Sequence, residues 1–113
     1  MAGAMQDPQA IKALLARLWE QKKDVTLSRI AVVEQASSAL ASGLLTPELR
    51  AHAAGEAHKL AGSLGTFGFP EGSRLARAVE ELLTADADLD RDDGERLAQL
   101  LLQLRNELQP PTK

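Results

Sequence analysis

The side chains of this 113-residue chain best suited to covalent or metal chemistry are two histidines, His52 and His58, since cysteine is absent. An imidazole can act as a nucleophile or a metal ligand. His58 lies in the stretch EAHKLAGSLGTFGFPEG (Glu56 to Gly72), with glycines following at 62, 65 and 68. A glycine inside a helix costs about 1 kcal/mol relative to alanine, so a cluster of them just after a histidine calls for a reason. Metal binding is not that reason. A di-iron bundle needs Glu-x-x-His pairs facing inward, whereas Glu56 and His58 are two residues apart. The acidic run Asp86, Asp88, Asp90 has the alternation of a calcium loop. It nevertheless carries Arg91 where the turn glycine belongs and Leu97 where the last, bidentate glutamate belongs. No metal site is expected.

The elements that must position His58 follow from start and stop signals. The composition is rich in alanine and leucine, with only three aromatic residues, and every periodic segment repeats at the helical period rather than alternating. The fold class is therefore all-α. Asp7-Pro8 is an N-cap followed by a proline at the first helical position. From there Ile11, Leu14, Leu15, Leu18 and Trp19 form one apolar stripe. A second stripe, Leu27, Ile30, Val33, Ser37 and Leu40, is rotated from the first by roughly 100°, which predicts a break near Lys22–Asp24. Gly43 stops the second helix. Thr46-Pro47 starts the histidine-bearing helix, which runs to about Phe67, and Gly68-Phe69-Pro70 makes a tight turn. A further helix carries Leu75, Val79, Leu82 and Leu83. The acidic loop then ends in an N-cap, and Leu97, Leu100, Leu101, Leu104 and Leu108 mark the last helix. Short connections favour antiparallel neighbours. The expected architecture is an antiparallel up-down four-helix bundle with a short additional N-terminal helix capping one end. The bundle occupies residues 7–109. Residues 1–6 read as a disordered N-terminus or cloning remnant, and 110–113, with Pro110-Pro111, as the start of a linker or disordered tail.

Projecting the histidine helix separates its faces. Leu49, Ala53, Ala57, Leu60, Leu64 and Phe67 form a core seam at spacings of three and four. His58 lies roughly 150° from the centre of that seam, so it points to solvent. Ala51, Ala54, Gly55, Ala61, Gly62 and Gly65 fall within about 60° of it on the outward side. An ordinary exposed face would carry Lys, Glu, Gln and Arg. This one is nearly bald, as if to let another molecule reach the imidazole. His52, six residues away, does not share that face.

At these residues the sequence resembles the histidine-containing phosphotransfer (HPt) domain family. The family pattern is a histidine, an apolar residue two on, a glycine four on and another near ten on, followed by a turn and a helix with a leucine-then-glutamate signature. Here those are His58, Leu60, Gly62, Gly68, Leu75 and Glu80 or Glu81. The match is strongest over Ala54 to Leu83. Many members have a lysine three residues after the histidine, where this chain has Ala61. Lys59 is adjacent to His58, but the helix turns it about 100° away. A cation for the phosphoryl group would then come from Arg74 or Arg77, or from the partner.

The resemblance implies a phosphorelay intermediate. A neutral imidazole takes a phosphoryl group from a histidine kinase or a receiver-domain aspartate and passes it to a receiver-domain aspartate. Phosphoryl transfer asks mainly for in-line geometry and charge neutralisation, and by family analogy the receiver brings the Mg²⁺, so no cofactor of the chain's own is expected. Docking would fall on Ala54, Gly55, Ala61, Gly62 and Gly65. A carboxylate on the far ring nitrogen would fix the tautomer, with Glu80 and Glu81 as candidates. The other reading is a non-phosphorylated, HPt-like docking module. A kinase reading fails for want of a phosphate-cradling glycine loop. A net charge of −3 without a basic patch argues against nucleic acid. With no apolar run near the ~20 residues of a membrane span and no secretory signal, a cytoplasmic monomer is expected.

Overall fold

A computed structural model of the protein describes residues 7–109; the readings of 1–6 and 110–113 fall outside those residues. Four helices make up the described chain: α1 (Pro8–Ala41), α2 (Pro47–Thr66), α3 (Pro70–Thr84) and α4 (Arg91–Leu108). No strand occurs among the described residues. The boundaries follow the punctuation of the sequence. Asp7 accepts from the Gln9 amide and Thr46 from the Leu49 amide, each ahead of a proline. Asp90 and Asp93 form a reciprocal capping box at the start of α4. Gly43 and Gly68 hold the positive φ angles that close α1 and α2. In both cases the residue after the glycine bonds back to the helix, Leu44 N–H to Ala39 at 2.8 Å and Phe69 N–H to Leu64 at 2.9 Å.

The helices pack in a ring, each against two others: α1 on α2, α2 on α3, α3 on α4, and α4 back on α1. Ile30, Val33, Leu60, Leu64, Leu75, Val79, Leu97 and Leu104 form the centre of one core. Ion pairs fasten α1 to its neighbours, Arg29 with Glu56 of α2 at 3.2 Å and Arg105 of α4 with Glu34 at 2.6 Å.

The expected break near Lys22–Asp24 and the separate N-terminal helix are corrected. Helix α1 runs unbroken for 34 residues. Gln21, Lys22 and Lys23 are good helix formers and no glycine or proline interrupts them, so nothing in the backbone forces a stop. The rotated stripe instead reflects a change of neighbour along one helix. Thr26, Ile30, Val33 and Ala36 are buried in the bundle. Further back, Trp19 packs on Phe67 and Phe69, with ring centroids 6.0 and 4.9 Å away. The three aromatic residues of the chain thus form one cluster, which fastens α1 to the turn between α2 and α3.

Candidate functional site

The site is built between α2 and α3, which pack against each other. Both helices bury small residues, Ala54, Ala57 and Ala61 on α2 and Gly72, Ser73 and Ala76 on α3. The buried Ser73 hydroxyl donates to the Ala61 carbonyl at 2.6 Å and ties the two helices together. Ala54 and Ala61 therefore correct the helix projection, which placed them on the open face. The window around His58 is divided. Its side toward α3 is covered, because small side chains let that helix approach, while Gly55 and Gly62 on the other side are exposed. A Cβ at either glycine would meet no atom within 4 Å; at Gly65, also exposed, it would lie 3.5 Å from Ser73 Oγ, an ordinary contact.

Close packing has a second consequence: it brings a carboxylate of α3 to the imidazole. Glu80 Oε2 lies 3.0 Å from His58 Nδ1. The His58 side chain is 74% exposed and that of Glu80 27%, so the carboxylate is held at the base while the ring stands out. A carboxylate only accepts hydrogen bonds; Nδ1–H is therefore the donor, and the lone pair of the neutral ring is on Nε2. The pair borders a shallow recess of about 390 Å³ lined by His58, Ala61, Gly62, Arg77, Glu80, Glu81 and Thr84. Ala61 is its floor. Gly62, with no side chain, leaves the ring accessible along the helix.

The candidate cations separate clearly. Lys59 pairs with Glu56 at 3.3 Å, and Glu56 is also held by Arg29. Arg74 is bound by Glu71 through two hydrogen bonds, and that guanidinium holds the Glu71 carboxyl below the usual carboxylate range. Arg77 is exposed, lines the recess with His58, and has no ion-pair partner among the described residues. Glu81 lines the recess but makes no bond to His58. His52 is exposed and lies outside the recess. Among the described residues no group of three or more His, Asp or Glu is placed to hold a metal ion, and no helix is long and apolar enough to cross a membrane.

One supporting residue escaped the sequence reading. Arg50, near the start of α2, reaches the far end of α3 and donates to the carbonyls of Leu83, Ala85 and Ala87 at 2.8, 2.7 and 3.1 Å. It caps a helix that has no basic residue in its own last turn and places its charge at the negative end of the α3 dipole. Nothing in the spacing of Arg50 signals this, because the bonds span 33 to 37 residues.

Protein RcaC of Microchaete diplosiphon is 35% identical over 72 residues, which is 64% of this chain and 11% of that protein. The chain thus spans about a tenth of that relative's length. No solved structure matches it significantly. The family model described as the Hpt domain matches residues 28–109, from the middle of α1 to the end of α4. The chain belongs to the Hpt domain family.

Proposed function

We propose that the domain is a phosphorelay intermediate whose phosphoryl carrier is His58. Nε2 attacks the phosphorus of an aspartyl phosphate on a receiver domain, or of a phosphohistidine on a histidine kinase. The N–P bond forms as the bond to the donor breaks, and the donor leaves with that bonding pair. The ring keeps its Nδ1 proton and becomes a phosphorylated imidazolium, whose positive charge Glu80 offsets across the hydrogen bond. The reverse displacement hands the group to a receiver aspartate. The observation that carries this reading is the 3.0 Å Glu80–His58 contact beneath an exposed ring, in a chain of this family.

Each remaining part has its own support. The exposed Gly55, Gly62 and Gly65, with Ala61 as the floor, form the surface on which a receiver docks. Arg77 takes the place of the lysine that many members carry at the position of Ala61, since Arg74 and Lys59 are engaged with carboxylates. The Mg²⁺ of the reaction is assigned to the receiver. The ring of helices reads as an antiparallel up-down bundle: the contacts Trp19–Phe67 and Arg29–Glu56 progress in opposite directions along α1 and α2, and His58–Glu80 and Ser73–Ala61 do so along α2 and α3. A cytoplasmic domain that binds signalling proteins rather than nucleic acid completes the reading.

The test is transfer from a phosphorylated receiver to the purified domain, followed by mapping of acid-labile phosphate. Label on His58 is the expected result. A folded domain that binds receivers but takes no label would instead be a docking module.

A further inference from the structure

Among the described residues, the continuity of α1 leaves an apolar seam uncovered. Helix α1 extends well past the turn at Phe67–Phe69, where Leu15 and Trp19 are its contacts. Ile11, Leu14 and Val25 are 45, 52 and 46% exposed. With the half-buried Leu18 and the exposed Gln21 between them, they fall at 11, 14, 18, 21 and 25, alternating three and four. That is the a and d spacing of a coiled-coil seam. It lies roughly 100° around the helix from the side that faces the bundle.

We propose, in place of the monomer expected from the sequence, that this seam pairs with the same seam of a second copy, antiparallel, and that the domain self-associates through α1. The charges beside the seam select both occupant and direction. Arg17 and Asp24 take g positions and Lys22 an e position. In a parallel pair g faces the e of the following heptad, which sets Arg17 against the partner's Lys22, a repulsion on both sides, while Asp24 would face an Arg29 already paired with Glu56. In an antiparallel pair g faces g, and Arg17 meets the partner's Asp24 twice by symmetry. The register that makes these pairs also stacks Leu14 on the partner's Val25 and Leu18 on its Gln21. One register therefore sets Leu14 on Val25 and Arg17 against Asp24 together, with Leu18 covered by the stem of Gln21. Arg17 and Asp24 have no ion-pair partner within the described chain that would have to be given up. A polar residue within the seam fixes register at some cost in strength, and so short a seam belongs to the weak, transient class of interface.

Sedimentation velocity on the whole chain tests this, with variants whose circular dichroism shows an unchanged fold. A dimer forming reversibly in the range of about 10 µM to 1 mM is expected. Arg17→Glu alone and Asp24→Arg alone should each weaken it by about tenfold, since each sets two like-charge contacts, and the double variant should restore it. Leu14→Asp should abolish it without changing transfer to His58. A monomer at every concentration overturns the proposal. So does a dimer indifferent to both charge reversals, or one that the double variant fails to restore, because another surface would then be responsible.

Discussion

At the scale of single residues, Glu80 is, among the described residues, the side chain that bonds the His58 ring. In the proposed mechanism it holds the proton on Nδ1, so removing it frees the ring to carry its proton on Nε2, where it cannot attack. A net hydrogen bond is worth about 1 kcal/mol, or about fivefold. Glu80→Ala should slow transfer by about that factor, and ¹⁵N NMR of the ring should show the Nε2–H tautomer gaining population. Glu80→Gln keeps an acceptor oxygen and should keep the tautomer, losing only the charge that offsets the imidazolium. Gly62 sets stability against function at a neighbouring position. A Cβ there meets nothing, so Gly62→Ala should raise stability by about 0.5–1 kcal/mol, seen as a higher melting temperature. Gly62→Gln should hold or raise the melting temperature while transfer falls steeply, because a misplacement of about 1 Å can cost a hundredfold in rate. A destabilised Gln variant that transfers normally would refute the docking surface.

At the scale of elements, the precision of the site depends on how α3 is seated against α2. Two anchors hold it, Ser73 near its start and the Arg50 cap at its end. Arg50→Met keeps an unbranched stem but leaves three carbonyls without their donor. A hydrogen bond to a charged group contributes about 1.5–3 kcal/mol, and the terminal carbonyls recover part of that from water. Chemical denaturation should show a loss of about 1–3 kcal/mol, with transfer preserved where the protein stays folded. An unchanged midpoint would mean that the cap adds nothing to the α3 terminus.

At the scale of the molecule, what could be read from the sequence is what local chemistry decides. Asp7-Pro8, Thr46-Pro47, Gly43 and Gly68 mark helix ends because caps and left-handed turns are made by neighbouring residues, and they stand where expected. The outward position of His58 followed from the core seam alone. What misled the reading required knowing the neighbour. A stripe that rotates near Lys22 reads equally as a broken helix or as one helix with two neighbours, and only tertiary packing decides. Ala54 and Ala61 read as bare surface because an alanine looks alike whether exposed or pressed against a close-packed helix. Arg50 could not be placed at all, since its partners are backbone atoms of a distant element. Glu80 and Glu81 were separable only once α3 was docked: adjacent residues point about 100° apart, and the docking turns one of them to the imidazole.

The central claim, that this bundle carries a phosphoryl group on His58, is tested most directly by labelling the intact domain and its two histidine variants from a ³²P-phosphorylated receiver. Wild type and His52→Gln should take up acid-labile label at similar rates. His58→Gln should take up none while melting close to the wild-type temperature, because an exposed side chain has little packing to lose. Label persisting in His58→Gln, or lost only in His52→Gln, would contradict the assignment.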